Sequence, residues 1–197
     1  MTSPFDSLGD TSTLTGVVLG AVVATAGSFA ASWYERRLFR REREADAALV
    51  FAELLNTLCL HIQVLRAAHS RGDPFGPITI RMTRAVRREV EIYDRNRERL
   101  FVVRDSALRP QASALMARLT FAIERVLDST DSLAAQPSPD ERADLESGRA
   151  LAFEFLVECA DELPAMAQRF AALAGTRLTG LDLEAIGFGA PGEAADS

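Results

Sequence analysis

Between Asp10 and Glu35 the chain runs for 24 residues without a formal charge, and this stretch constrains its architecture more than any other. A helix rises about 1.5 Å per residue, so roughly 20 residues cross about 30 Å of hydrocarbon. A soluble helix keeps a charged face toward water, which this run lacks. A cleaved signal peptide opens with basic residues, whereas Asp6 and Asp10 precede the run and no arginine does. Ala24-Thr25-Ala26 is therefore read as part of a span and not as a cleavage site. The expectation is one transmembrane helix over residues 11–34, after a short external N-terminus of residues 1–10.

The flanks orient it. Arg36, Arg37, Arg40, Arg41 and Arg43 follow the run directly, and by the positive-inside rule the C-terminal side faces the cytoplasm. Trp33 and Tyr34 fall at the inner interface, where an amphipathic ring keeps its body in lipid and its polar edge among headgroups. The span is only modestly apolar: of residues 14–34, twelve are Gly, Ala, Ser or Thr, and Leu and Val supply six. Gly16, Gly20, Ala24, Ser28 and Ser32 recur every four residues and make a small-residue stripe that opens with GxxxG spacing. Such a stripe lets two helix backbones approach closely, which points to a homo-oligomer or to pairing with another transmembrane helix. The alternative is the ordinary abundance of small residues in membrane helices.

Beyond the arginines, Ala45, Leu49, Ala52, Leu55, Cys59, Ile62 and Leu65 recur at helical steps and predict a stalk helix continuing the span to Ser70. From Trp33 that is a length of roughly 55 Å. Arg71-Gly72-Asp73-Pro74-Phe75-Gly76-Pro77 marks a turn. Met82, Ala85, Val86, Val90, Tyr93, Leu100 and Phe101 predict a second helix with arginine at its polar positions. Asp105-Ser106 resembles an N-cap for a third helix carrying Leu108, Ala112, Leu115, Leu119, Ala122, Val126 and Leu133 up to Gln136. After Pro137-Ser138-Pro139, the pair Ser138 and Glu141 has the spacing of a capping box. It starts a fourth helix with Leu145, Leu151, Phe155, Val157, Cys159 and Leu163, which Pro164 interrupts before Met166, Phe170 and Leu173 resume it.

The fold class expected is all-α: one N-terminal transmembrane helix, then an antiparallel up-and-down bundle of about four long helices over residues 35–176. Residues 177–197 read as a flexible acidic tail. Short turns force consecutive helices side by side, so the second should return toward the bilayer. Arg97, Arg99, Arg104 and Arg109 would then lie near the inner leaflet and could hold anionic lipid. The competing reading is that they are solvated, or paired with Glu98, Asp105 and the fourth helix.

Every one of the 22 basic residues is arginine, so a Walker A lysine is absent. His61 and His69 belong to no HExxH or ExxH arrangement, and Cys59 and Cys159 have no zinc-type spacing. Glu154, Glu158, Asp161 and Glu162 include pairs at helical spacing, which read as a solvated face. No catalytic residue, metal site or cofactor is expected. Nucleic acid is not an expected partner, because the arginine helix lacks interleaved aromatics and the net charge is −6.

Glu91-Ile92-Tyr93-Asp94-Arg95-Asn96, followed by Leu100 and a long helix, resembles a pattern in bacterial single-pass membrane proteins with a helical cytoplasmic domain. The likeness covers about 40 residues and the general layout of anchor and helices. It implies that architecture and a bacterial origin, and it transfers no activity. Tyr93 and Asn96 lie one turn apart, which suggests a polar contact inside the bundle near the turn. The functional expectation is a non-enzymatic interaction or oligomerisation module with the lipid bilayer as its first partner. The alternative is a membrane-linked sensor or regulator, in which the acidic fourth helix latches onto the arginine helix.

Overall fold

The computed structural model describes residues 8–71 and 74–178, with side chains described from residue 18 onward. Residues 1–7 of the expected external N-terminus, and the expected acidic tail from residue 179, lie outside the described residues. All described regular structure is helical: α1 (Leu8–Ser70), α2 (Pro77–Asn96), a 3-10 turn (Arg97–Val102), α3 (Leu108–Ala134), α4 (Pro139–Ala160) and α5 (Leu163–Leu173). The chain divides into two compact units, residues 1–43 and residues 44–197.

In the first unit the described side chains of α1 have no tertiary core. Val18, Leu19, Val22, Val23 and Phe29 are all exposed, Phe29 by 76%. An added Cβ at Gly20 or Gly27 would meet nothing within 4 Å. The hydroxyls of Thr25 and Ser28 donate to the backbone carbonyls of Ala21 and Thr25, at 2.7 and 2.9 Å. A hydroxyl bonded to its own helix carries little desolvation cost into an apolar medium.

In the second unit α1 is a core element. Ala47, Ala48, Phe51, Ala52, Leu55, Leu58, Ile62 and Leu65 are buried, so the helix that continues the uncharged run packs on other helices from Ala47 onward. The buried face is also turned from the predicted one, since Leu49 is exposed while Phe51 and Leu58 are enclosed. Apolar residues surround much of this helix, and its neighbours select which are covered. Phe51 makes the central contact: its ring meets Tyr93 of α2 edge-on at 5.7 Å and Phe170 of α5 at 5.6 Å.

Thr79, Ile80, Thr83, Val86, Val90 and Tyr93 form the inner face of α2. The α-helix stops at Asn96, whose side-chain amide donates to the Ile92 carbonyl at 2.8 Å. It does not meet Tyr93, whose hydroxyl instead lies 3.4 Å from Ser113 Oγ on α3. The expected Tyr93 contact is thus interhelical, and Asn96 serves its own helix end. The following turn has three residues per turn, which puts Leu100 and Val103 on one side, both buried. Phe101 therefore leaves the core and is 75% exposed, contrary to its expected place on the apolar face of α2.

Asp105 caps α3 by accepting the backbone N–H groups of Ala107 and Leu108, each at 2.9 Å. Gln136 closes that helix in the left-handed region with φ of 57°. The Ser138–Glu141 pair forms at the start of α4, with the Ser138 N–H donating to Glu141 Oε2 at 3.0 Å. The inner face of α4 is Ala152, Phe153, Leu156 and Cys159, so predicted Leu151 points outward at 63% exposure. Pro164 stands in the first turn of α5, where a missing N–H costs nothing, and α4 ends before it at Ala160. Gly175, at φ of 71°, terminates α5, and the next N–H, from Thr176, returns to the Ala171 carbonyl at 3.0 Å.

Packing is most extensive between α3 and α4, and α2 lies on α3 as well. Ascending numbers meet descending ones. Arg84 and Arg87 of α2 pair with Asp131 and Glu124 of α3. Arg118 of α3 grips Glu162 beyond the end of α4 with two bonds, at 2.8 and 2.7 Å.

Candidate functional site

Among its described residues the first unit offers a surface. Val18, Val22, Thr25, Phe29 and Trp33 lie along one side of α1 and line an open apolar groove of about 820 Å³. Gly20 and Ala24 lie on another side, and the series drifts around the helix so that Ser28 and Ser32 border the first side beside Phe29 and Trp33. Gly16 belongs to the same helix, outside the described side chains.

Length and composition make α1 able to cross a membrane. Of the 18 residues in its most apolar described window, 44% are buried in the fold. The buried residues of α1 begin at Ala47, so that window belongs to the bundle. The residues before it, from Val18 to Tyr34, are uncharged, largely apolar and uncovered. At their end the Arg37 guanidinium sits 5.3 Å over the Trp33 ring, a cation–π pair one helical turn apart. Tyr34, Arg36, Arg40, Arg41 and Arg43 are exposed beside it.

In the second unit the four arginines expected near lipid take different surroundings. Glu44 holds Arg104 twice: its carboxylate accepts the backbone N–H at 2.7 Å and stands 3.7 Å from Arg104 Nε. Arg97 and Arg99 are exposed and have no ion pair among the described residues. Arg109 is half-buried, with its Nε lacking a hydrogen-bond partner. Asp105 meets Arg169 of α5 at 3.6 Å. Its two backbone hydrogen bonds, from Leu108 and Ala107, hold its carboxyl below the usual range. The α2 ion pairs given above run to α3; among the described residues none runs from an α2 arginine to α4. An electrostatic partnership between α2 and α3 was not legible in the sequence, because charge spacing within a helix does not name the helix opposite.

No group of three or more His, Cys, Asp or Glu suited to a metal occurs among the described residues. Burial pushes the thiols of Cys59 and Cys159 upward, which keeps them protonated and weakly nucleophilic at neutral pH. A cavity of about 180 Å³ beside Cys59, Gln63 and Gln168 is below the roughly 300 Å³ of an ordinary ligand pocket. Glu154 and Glu158 are exposed, and Glu162 is engaged by Arg118.

His69 does have a defined setting. Its ring stacks on Phe153 at 3.9 Å and meets Phe75 edge-on at 5.2 Å, while Arg149 lies 4.0 Å over the Phe75 ring. Burial pushes the His69 pKa down, so the unfolded chain binds the proton more readily than the folded one. Stability from this group is complete above the unfolded value of about 6.5 and is lost as pH falls through the depressed folded value. The thermal midpoint should fall between pH 7 and pH 5.5, and His69→Phe should flatten that slope. An unchanged slope in the variant would assign the pH dependence elsewhere. In stronger acid the Glu162 carboxyl, lowered by Arg118, adds a second loss of the same sign.

No protein-family model, no curated protein and no solved structure matches this chain.

Proposed function

We propose that this chain is a single-pass protein of a bacterial inner membrane that crosses the bilayer over residues 11–34, with its helical unit in the cytoplasm. The observation that carries this reading is the uncovered apolar surface of α1 from Val18 to Phe29, which ends in Trp33, Tyr34 and five arginines. Water would oppose that surface, while a bilayer stabilises it at about 25 cal/mol per Å² of apolar area buried. The contacts among α1, α2, α3 and α4 fit an antiparallel up-and-down bundle whose arginine-bearing α2–α3 junction lies at the Glu44 end.

The protein acts as a non-catalytic interaction module, and its first interaction is helix with helix inside the membrane. The small face of α1 admits a second backbone closely, and the large face meets lipid. Gly16→Leu with Gly20→Leu should reduce self-association in a membrane two-hybrid assay by about fivefold or more, corresponding to roughly 1 kcal/mol. Equal association of the variant and the parent would remove the small face from this role.

A further inference from the structure

The 3-10 turn between α2 and α3 presents a combination that core packing does not explain. Phe101 and Val102 are exposed by 75% and 40%, although each neighbours a buried residue, Leu100 or Val103. They stand side by side on a short turn at one end of the bundle. By the same three-residue period Arg99 shares the side of Val102 and Glu98 that of Phe101, while Arg97 opens the turn; Arg97 and Arg99 are exposed and without ion pairs among the described residues. Over residues 97–102 there are two arginines and one glutamate, a net charge of +1, with Arg104 beyond them taken by Glu44. An apolar pair edged by free guanidinium groups is complementary to a bilayer surface that is anionic at its headgroups and apolar beneath them.

The turn is tied to a residue near the anchor. Glu44 accepts the Arg104 backbone N–H at 2.7 Å, so the turn is fixed to the start of the second unit. Nine residues lie between Tyr34 and Glu44, and the ten steps from one to the other reach at most about 35 Å. An anchored chain therefore presents this turn to the membrane at high effective concentration, and weak individual contacts suffice.

We infer that the turn at residues 97–102 is a second membrane contact, in which Phe101 and Val102 enter the interface and Arg97 and Arg99 bind anionic lipid headgroups. The inference rests on the membrane reading above, and the test separates the two. Trp33 is the single tryptophan of the chain. Full-length protein carrying Trp33→Phe and Phe101→Trp is reconstituted into phosphatidylcholine vesicles with and without 30% phosphatidylglycerol (about that fraction suffices to charge the surface), each with headgroup spin-labelled lipid as quencher. The introduced indole should be quenched more strongly, and emit further to the blue, in the anionic vesicles. Arg97→Gln with Arg99→Gln should lower the ratio of docked to free turn by about tenfold or more. High salt should act in the same direction, because it screens exposed charges.

An indole that stays open to aqueous iodide in both vesicles overturns the inference and leaves the turn as a surface for a protein partner. Equal quenching with and without phosphatidylglycerol overturns it as well, because the arginines then contribute nothing. The parent protein, with its native Trp33, is measured in parallel. If Trp33 is quenched and the introduced indole is not, the turn alone is at fault; if Trp33 is not quenched, the anchor itself falls.

Discussion

Phe51→Ala is expected to destabilise the helical unit by about 3–5 kcal/mol, the usual cost of removing a fully enclosed phenylalanine. The ring has 0% exposure and touches Tyr93 on α2 and Phe170 on α5, so one truncation opens a cavity among three elements. Aromatic pairs at these separations contribute roughly 0.5–1.5 kcal/mol beyond the area they bury. For a unit of this size the thermal midpoint should drop by roughly 10 °C or more. Circular dichroism of the full chain in detergent, followed through a thermal or urea transition, measures the change. Phe51→Leu, which refills much of the volume, should recover most of it. A Phe51→Ala protein that melts within about 1 °C of the parent would show that the three helices do not share this contact.

Val23→Arg should release the protein from the membrane while leaving the helical unit folded. An arginine at the centre of a spanning helix costs about 2.5–3.5 kcal/mol on insertion scales, and the lost valine removes a small favourable contribution. This span has little margin, since twelve of its residues 14–34 are Gly, Ala, Ser or Thr. Val23 is exposed and belongs to the first unit, so the core of the second does not depend on it. Alkaline carbonate extraction should move the variant to the soluble fraction, with Val23→Leu remaining in the pellet. Retention of Val23→Arg in the pellet to the same degree as the parent would mean that residues 11–34 are not what holds the chain there.

These two side chains differ in how far the sequence marks them. The run that holds Val23 stands out in the sequence by its lack of charge alone. Phe51 is not, since nothing in the spacing of residues 45–65 singles it out as the meeting point of three helices. Ala45, Leu49 and Cys59 were equally good members of an apolar face. The structure leaves Leu49 exposed and Cys59 and Ala45 half-buried, while Phe51, Leu55 and Leu58 are enclosed. Amphipathic periodicity identifies a stripe to within a few tens of degrees, and the neighbouring helices choose which part of the stripe is covered.

The candidate surfaces divide in the same way. The arginines after Tyr34 and the small-residue series announce themselves by position and spacing. The apolar tip at Phe101 does not, because its exposure follows from a change of helical period at Asn96. An α-helical continuation had placed Phe101 with Tyr93, and three residues per turn placed Leu100 and Val103 inward instead. The fate of the four nearby arginines was also undecidable from sequence: Arg104 is taken by Glu44, sixty residues earlier, and Arg97 and Arg99 have no ion pair among the described residues.

The helical class, the uncharged run, the caps at Asp105 and Ser138, the break before Pro164 and the stop at Gly175 are all readable along the chain. Each depends on groups within about four residues of one another, so local chemistry suffices. The arrangement of the helices fixed the rest: that Phe51 and Leu58, and not Leu49, are the enclosed residues of α1, that the α2 arginines pair with α3, and that an apolar tip stands open between α2 and α3. Those outcomes depend on which distant surfaces compete for the same side chains, and no spacing along one helix records the identity of its neighbour.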